Sequence, residues 1–562
     1  MDSANPNTKV KSGRSAEDIV DYVIRDYERL AGKRTNFETQ WREIAERTDP
    51  SGTQQFSANQ VPIWPGQKQT SQILDSTAVS AMNKFGAILD SLLTPRNAQW
   101  HRLAVNNKDL MKNHDVAEYF ENVTDILFKY RYSPEANFQS QNQKQYKSIG
   151  RYGTAAMFVD QLVGNKGIRY KNIHLGQIYI DENHQGHVDK GVRNFPMTAR
   201  QAYQKWGDKL PETILGALDT NPDREFRFIH HVSPRTDDYD PNRFDYKGMP
   251  FVSYYVSIDG KVLLSEGGFP KFPFAISRYE QAEYEVYGRS PAMEVLPAIK
   301  TLNEQKKIML KQGHRAVDPV LLAHDDGILD GFSLMPGAIN PGGISAEGRA
   351  MIQALPVGSV QIGKEMMDEE RAIINDAFLV NLFQILLETP QMTATEVLER
   401  AKEKGILISP TLGRQESEYL GPLIDREIDV LSQQGLLPPM PPLLREAKGE
   451  YQVVYDSPLT RAQKAEEASG LARALETALQ VVNVTQDQSA LDFFDFDVAI
   501  PELARIQGVP ERFFRDPDAV AQIRANRAQN AQEQKLIQAG PAAAAIAKSG
   551  AMQRPGYGGA NG

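Results

Sequence analysis

Cysteine is absent from the 562-residue sequence. This absence excludes disulfide bonds, thiolate metal ligands and cysteine nucleophiles, and it suits a protein made in a reducing cytosol. Long apolar runs are absent as well. No stretch of about 18 apolar residues occurs, so the sequence predicts no transmembrane helix of the usual kind. Met1 to Arg14 is polar and has no apolar core, so we expect a disordered N-terminus rather than a secretory signal.

An excess of positive charge is also lacking. The chain has 63 Lys and Arg against 72 Asp and Glu, which gives a formal net charge of -9. Proteins that hold duplex DNA tightly neutralise its phosphates and usually carry a basic excess. The composition therefore argues against strong general DNA binding. It is compatible with a conduit, because a channel that passes DNA should not grip it.

The familiar catalytic motifs are missing. There is no Walker A pattern, and the nearest string, Gly66 to Thr70, lacks the spacing that lets backbone amides cradle phosphates. Neither His-Glu-x-x-His nor Gly-x-Ser-x-Gly occurs. His230 and His231 are consecutive on a predicted strand and should point to opposite faces, a poor geometry for one metal ion. We predict no catalytic residue, no cofactor and no metal site.

The densest group of potential metal ligands follows a predicted strand over 177–180. Its members are Asp181, Glu182, Asn183, His184, His187 and Asp189. A polar turn is the ordinary interpretation of such a group. The alternative hypothesis is a soluble metal-dependent enzyme that acts on nucleic acid or a phosphorylated substrate, with this group as its metal site.

The stretch from Arg289 to Arg400 organises the rest of the chain. Ser290-Pro291 predicts a helix start, since Ser is a good N-cap and Pro suits the first helical position. The helix should end at Asp318-Pro319, because the residue before a proline disfavours the α region. Charged residues at spacings of four, three, four and four form one stripe along this helix: Lys300, Glu304, Lys307, Lys311 and Arg315.

Two interpretations of this stripe remain open. It is a solvated helix face with local ion pairs, or, if many copies surround an axis, it repeats as basic rings that face phosphate. The same stripe could instead serve helix packing between subunits.

The segment after this helix is rich in Gly and Pro. Its short apolar runs, 320–323 and 351–357, predict small strands and turns. A helical pattern returns at Lys364, with Met366 and Ile373 near one face and Ile374 and Phe378 beside it. Thr393 and Glu396 form a capping box that starts another helix. Residues 384–392 are then a short loop between two helices.

The remaining chain predicts an α+β protein that is predominantly helical. Ser15 and Asp18 resemble a capping start, and residues 70–93 predict an amphipathic helix. Residues 155–278 predict a β-rich unit with a hairpin turn at 164–167. Gly421-Pro422 inside a later helix predicts a kink or break. Residues 458–482 favour a long helix, and the tail from Gly540 is Ala/Gly-rich.

Several motifs, taken in order, resemble the portal proteins (head-to-tail connectors) of short-tailed, podovirus-type tailed bacteriophages. The motifs are Tyr287-Gly288-Arg289-Ser290-Pro291, Leu302-Asn303, Met392-Thr393-Ala394-Thr395-Glu396-Val397, Leu420-Gly421-Pro422-Leu423-Ile424 and Ser457-Pro458-Leu459-Thr460-Arg461-Ala462-Gln463. The resemblance covers the chain from about Tyr27 to Arg524. No one motif is decisive, and the order and spacing together make the match specific.

The resemblance implies a subunit with wing, stem, clip and crown regions that assembles into a ring with a central channel. The implied regions are a disordered N-terminus (1–14), the wing (15–288, β-rich from about 152), the first stem helix (289–316), the clip (317–363), the second stem helix (364–383), the tunnel loop (384–393), wing helices with a return strand (394–455), the crown (456–514), and a C-terminal helix with a flexible tail (515–562).

The resemblance also implies the function and the partners. It implies a structural portal subunit, not an enzyme, in a twelve-subunit ring at one capsid vertex of the virion, made in the host bacterial cytoplasm. Double-stranded DNA would pass through the ring during packaging and ejection. The implied partners are the terminase large subunit, tail adaptor proteins, and the major capsid and scaffolding proteins, with no membrane. The candidate residues that face DNA are Lys300, Lys307, Lys311, Arg315, Gln384, Glu388, Thr389, Gln391 and Thr393.

Overall fold

The structure is a computed structural model. It describes residues 15–49, 56, 73–96, 98–111, 113–236, 239–323, 333–345, 347–356, 360–381, 410–446, 449–455, 458–485, 491–506, 509, 513–515 and 519–531. The chain forms two compact units. Unit 1 comprises Met1–His101, Thr124–Pro438 and Tyr455–Leu459, and unit 2 comprises Arg102–Val123, Pro439–Val454 and Thr460–Gly562. The described residues mix helix and strand, with helix in the majority, as the α+β prediction expects.

The helices and strands follow one another along the chain in a mixed order. The described helices are α1 (Ala16–Lys33), α2 (Thr35–Thr48), α3 (Thr77–Leu93), α4 (Lys108–Met111), α5 (His114–Arg131), α6 (Phe138–Tyr152), α7 (Ala199–Trp206), α8 (Glu212–Thr220), α9 (Pro291–Glu294), α10 (Leu296–Val317), α11 (Val360–Ala377), α12 (Gly421–Gln433), α13 (Pro442–Glu446), α14 (Pro458–Thr485) and α15 (Phe496–Ile506), and residues 410–415 and 519–531 are also helical. The described strands are β1 (His101–Ala104), β2 (Thr154–Gln161), β3 (Ile168–Ile173), β4 (Ile178–Glu182), β5 (Val188–Thr198), β6 (Glu225–Pro234), β7 (Phe251–Ser257), β8 (Val262–Phe269), β9 (Phe274–Arg278), β10 (Leu321–Ala323), β11 (Ile352–Ala354) and β12 (Gln452–Tyr455).

A five-stranded antiparallel sheet, in the order β4-β5-β6-β7-β8, is the largest sheet of unit 1. Its two faces bury different cores, since alternate residues of a strand point to opposite faces. On one face, α1 packs its apolar side against Val192, Ile229 and Val256. On the other face, Trp206 and Ile214 of α7 and α8 belong to one core with Phe195 and Phe228.

A second sheet of unit 1 has the order β3-β2-β9. The predicted hairpin turn over 164–167 is confirmed, since the Leu162 amide donates to the Gly167 carbonyl at 3.1 Å. Helix α6 packs against β2 and β3. Phe158 of β2 contacts His230 of the larger sheet at a centroid separation of 5.8 Å, so the two sheets share a core.

Local signals set several element ends. Ser15 and Asp18 form the predicted capping box at the start of α1, and Thr198 and Gln201 form another before α7. The amphipathic helix predicted over 70–93 is present over the shorter range Thr77–Leu93. A π-helical turn, Glu416–Leu420, precedes α12, which confirms the predicted irregularity at Gly421-Pro422.

The predicted helix from Ser290 is present but interrupted. Ser290 caps α9 by accepting from the Met293 amide at 3.0 Å. The chain then restarts as α10 at Leu296, because Pro297 has no amide hydrogen to continue the ladder. The next predicted helix, 364–383, differs from the observed α11, which starts earlier at Val360 and ends at Ala377. Leu379 has a φ of 59°, a left-handed conformation that interrupts the helical geometry.

In unit 2, β1 and β12 pair as a two-stranded sheet. The long helix predicted from Pro458 is confirmed as α14. In α15, Pro501 lies inside the helix. Across the part of the chain that the structure describes, no helix combines the length and the apolar character needed to cross a membrane.

Candidate functional site

Helix α10 is fixed to unit 1 by one face. Ile299 and Leu302 are buried there. Asn303 is buried on the same face and accepts hydrogen bonds from the backbone amides of Leu74 and Asp75 at 2.8 and 3.1 Å through its Oδ1. These two amides precede α3, so the Asn303 side chain joins α10 to the start of α3.

Helices α10 and α11 form a close antiparallel hairpin. A Cβ atom on Gly363 of α11 would lie 2.4 Å from Sδ of Met309 on α10, so glycine lets the helices approach there. Nearer the base of the hairpin, Arg371 of α11 donates to Asp75 at 2.7 Å. Partial burial opposes the shift, but the hydrogen bonds that Asp75 accepts from Thr77 and Arg371 lower its pKa.

The basic stripe, defined as Lys300, Lys307, Lys311 and Arg315, lies on the exposed face of α10, as the spacing predicts. Lys300 pairs with Glu43 at 3.1 Å, and Lys307 pairs with Glu304 at 3.4 Å. Within the described residues, Lys311 and Arg315 have no carboxylate within ion-pair distance. Among the described residues, the end of the stripe with Lys311 and Arg315 is therefore more positive than the end with Lys300.

Helix α11 exposes part of the apolar pattern that the sequence predicts for it. Ile362, Met366 and Ile373 are 60, 50 and 46% exposed, whereas Ile374 and Phe378 are buried. The spacings of four and seven residues align the three exposed side chains along the helix. The adjoining exposed carboxylates are Glu365, Glu369 and Asp376. Helical spacing predicts which of these side chains share a face of α11. It does not predict which face is buried against the rest of the protein.

Between the two helices, the predicted small strands are confirmed. β10 pairs with β11 antiparallel, with Leu321 opposite Ala354 and Ala323 opposite Ile352. Several apolar side chains of this segment are exposed, among them Leu334, Met335, Ile339 and Ile344. The segment thus presents an apolar surface in the free chain.

The other predicted DNA-facing residues are Gln384, Glu388, Thr389, Gln391 and Thr393. They lie outside the described residues, as does the capping box of Thr393 and Glu396.

The cluster suggested as a metal site is a turn held by cations. Asp181 accepts from Arg29 at 2.9 Å and pairs with Lys33 at 3.5 Å. Glu182 pairs with Arg278 at 2.9 Å. Among the described residues, no three His, Asp or Glu side chains are placed to hold a metal ion. Asp181 and Glu182 therefore face cationic side chains in this structure.

His230 and His231 point to opposite faces of β6, as predicted. His230 stacks on Tyr255 with ring centroids 4.1 Å apart and contacts the Ser253 hydroxyl at 3.0 Å. His231 contacts Asp26 of α1 at 3.0 Å. Burial is the main cause that lowers the pKa of His230 well below its usual value.

Comparison with known proteins connects these elements to a family. Residues 21–514 match the family described as bacteriophage head to tail connecting protein. The chain belongs to this family. Relatives of this head-to-tail connector cover nearly its whole length. The chain is 27% identical over 545 residues to the portal protein of Salmonella phage epsilon15. The aligned region spans 95% of this chain and 96% of that protein.

A second relative is the probable portal protein of Bordetella phage BPP-1. It is 27% identical over 537 residues, which span 93% of this connector-family chain and 94% of that protein. Both matches are nearly collinear from end to end. The α10–α11 hairpin and the two larger sheets of unit 1 lie inside the matched family region.

Proposed function

We propose that this chain is the portal subunit of a tailed bacteriophage, and that copies of it form a ring around a channel for double-stranded DNA. The observation that carries the proposal is the match over residues 21–514 to head to tail connecting proteins. Two relatives named as portal or probable portal proteins support it over more than nine-tenths of both chains. Because the matches run from end to end, they support the same role for the whole chain.

The α10–α11 hairpin is suited to form the stem of such a ring. A closed ring joins two different surfaces of each copy in a head-to-tail manner. The apolar stripe of α11 (Ile362, Met366 and Ile373) is exposed in the free chain, and burial of such side chains favours association. In our proposal this stripe packs against the neighbouring copy, and the channel runs along the inner side of the stems.

The basic stripe then has two possible uses, which differ in their consequences. Facing the channel, it would repeat as weak basic rings that let a phosphate backbone slide. Facing a neighbour, it would pair with the acidic side chains of α11 (Glu365, Glu369 and Asp376). We favour the channel, because Lys311 and Arg315 lie on the face of α10 opposite Leu302 and Asn303.

The remaining regions follow from the same proposal. Residues 15–288 form the wing, 317–363 the clip, 394–455 further wing helices, 456–514 the crown, and 384–393 a tunnel loop at the narrowest part of the channel. The exposed apolar side chains around β10 and β11 would dock the terminase large subunit during packaging and tail adaptors afterwards. Capsid and scaffolding proteins would surround the ring, which we place at one vertex of the virion with twelve copies.

The first test is negative-stain electron microscopy of the purified full chain with sedimentation beside it. We expect rings with a central hole wide enough for duplex DNA. A variant with Ile362→Asp, Met366→Asp and Ile373→Asp should sediment as a monomer, while Val163→Asp, at an 84% exposed turn position, should still form rings. A homogeneous monomer of the parent chain at high concentration would overturn the proposal.

A second variant separates the two uses of the basic stripe. Lys307→Gln, Lys311→Gln and Arg315→Gln together should leave the rings intact and reduce their salt-dependent association with duplex DNA. If the rings dissociate instead, the stripe is a subunit contact. If neither assembly nor DNA association changes, the stripe is a solvated face only.

A further inference from the structure

We propose that unit 1 contains a phosphate-binding cleft formed by Arg169, Lys171, Arg193 and Lys205. The cleft goes beyond the portal function, and none of its residues belongs to the α10–α11 hairpin. Its ligand class is a phosphate group, either free or part of a phosphodiester backbone.

Strand register brings Arg193 to the floor of the cleft. Arg193 of β5 is directly opposite His230 of β6, and His230 is opposite Tyr255 of β7. Directly opposite residues of antiparallel strands share a face of the sheet. The Arg193 guanidinium lies 4.3 Å from the Phe195 ring, and its Nε is buried with no hydrogen-bond partner among the described residues.

Helix α7 and the β3-β2-β9 sheet supply the other basic side chains of the cleft. Lys205 of α7 places its Nζ 3.7 Å from the centre of the Tyr255 ring. Arg169 and Lys171 share the exposed face of β3, where they are opposite Asp160 and Phe158 of β2. Phe158 contacts His230, which stacks on Tyr255, so the β3 face is adjacent to the same aromatic group.

The positive charge of this cleft is largely unbalanced. None of the four basic side chains forms an ion pair with the described residues. Asp160 is the nearby carboxylate, and it already lies 3.7 Å from Arg426. One carboxylate cannot balance the charge of four cations, so solvent or an added anion must screen the remaining positive charge.

The pKa values support this arrangement. Desolvation, then the charges of Arg193 and Arg169, lower the pKa of Lys171 to about 8. Lys205 has its pKa lowered to about 8 by desolvation and by Arg193, Arg169 and Lys171, against the opposing charge of Asp160. Desolvation is also the main cause that lowers the pKa of Arg193 to about 10. The four cations therefore destabilise one another, and a bound anion would relieve that repulsion.

Phosphate is the anion that best fits these donors. Guanidinium groups present forked N–H donors that match phosphate oxygens, and ammonium groups bind them as point charges. Two arginines and two lysines near the same aromatic group can offer donors to several oxygens of a single phosphate. The unpartnered Nε of Arg193 supplies a buried donor for one of them.

Isothermal titration calorimetry of the full chain at low ionic strength tests the cleft. The probes are inorganic phosphate, pyrophosphate and a short duplex DNA. We expect saturable binding of at least one probe, weakened about tenfold or more in a Lys171→Ala, Lys205→Ala variant. The control Lys166→Ala, Lys209→Ala removes the same charge from exposed positions in unit 1 and should bind as the parent does.

The probes identify the source of the ligand. If duplex DNA binds, the Lys171→Ala, Lys205→Ala variant binds it more weakly, and free phosphate does not compete with it, the ligand is a phosphodiester backbone. If only phosphate or pyrophosphate binds, the ligand is a free anion. No binding of any probe, or equal weakening in the control, overturns the proposal. Both results are independent of ring formation, so they are distinguishable from failure of the portal proposal.

A protonation measurement gives a second readout. At pH 8.5, titration in two buffers of different ionisation enthalpy should show proton uptake on binding, because Lys171 and Lys205 are partly neutral there. The groups that face these lysines are Arg169, Arg193, Asp160, His230 and Tyr255. Proton uptake that persists in the Lys171→Ala, Lys205→Ala variant would contradict the assignment.

Discussion

Gly153 and Gly288 pack backbone against backbone. A Cβ atom on either glycine would lie 2.3 Å from the carbonyl oxygen of the other. Gly153 also has a φ of 73°, and the Gly288 amide donates to the Thr154 hydroxyl at 2.8 Å. This contact joins the end of α6 to the segment just before α9, and it gives Gly288 of the Tyr287-Gly288-Arg289 motif a structural reason.

Gly153→Ala should destabilise unit 1 by about 2 kcal/mol or more, because it adds a backbone clash to a left-handed conformation. Gly288→Ala should do the same through the clash alone. The measurement is the urea midpoint of unfolding. Gly164→Ala is the control, since it has positive φ but no atom within 4 Å of its Cβ position. Equal effects at Gly153 and Gly164 would show that the clash is relieved.

Arg131 and Glu427 form a fully buried ion pair between α5 and α12. Arg131 Nε donates to Glu427 at 3.0 Å, and the Tyr170 hydroxyl donates to the same carboxylate at 2.6 Å. Glu427→Gln should lower the free energy of unfolding by about 3–5 kcal/mol, because it leaves the guanidinium charge buried without its counterion. Chemical unfolding measures the loss.

The matched control for this pair is exposed. Arg25→Met removes a surface pair with Asp21 at 3.8 Å and should change the free energy of unfolding by less than about 0.5 kcal/mol. A double variant, Arg131→Met with Glu427→Leu, should recover part of the loss, since no charge stays unpaired. A Glu427→Gln protein as stable as the parent would contradict the pairing.

Asn303→Ala should loosen the hairpin from α3. The change leaves the amides of Leu74 and Asp75 without their acceptor, so it should lower the free energy of unfolding by about 2 kcal/mol. Hydrogen exchange of α3 and α10 measures where protection is lost. Thr301→Ala, at an exposed position on the same helix, should leave protection unchanged. Loss of protection confined to other parts of unit 1 would count against this role of Asn303.

Acid should destabilise unit 1 partly through His101. Its ring stacks on Phe128 and meets Trp100 edge-on, and neither ring nitrogen has a hydrogen-bond partner among the described residues. Burial, and then the charge of Arg131, keep the pKa of His101 well below 6.5. The unfolded chain therefore binds a proton that the folded chain does not, and stability falls as pH drops below about 6.5.

His101→Phe should remove part of this acid sensitivity. The difference in urea midpoint between variant and parent should grow in favour of the variant from pH 7.5 to pH 4.5. Carboxyl groups whose pKa burial raises, such as Asp90 and Asp429, act in the opposite direction but are present in both proteins. A constant difference across this pH range would contradict the assignment.

Patterns carried by neighbouring residues were predictable from the sequence. The capping box of Ser15 and Asp18, the turn over 164–167 and the strands β10 and β11 need only local chemistry, and the structure confirms them. Strand β5 was missed, because it contains Gly191 and Pro196. Pro196 is tolerated because it lies beyond the pairing with β4, whose first residue, Ile178, is opposite Arg193.

The sequence by itself determined the family, the spacing of the basic stripe and most element types, because these depend on residue order and on periods of 3.6 and 2. Tertiary structure decided which face of each helix is buried. The helical period of 3.6 residues places Met366 and Ile373 on one face of α11. The packing of α11 against α10 and α3 buries Ile374 and leaves Met366 and Ile373 exposed. Tertiary structure alone also brings Arg169, Arg193 and Lys205 together, because strand pairing and sheet packing join residues that no local pattern connects.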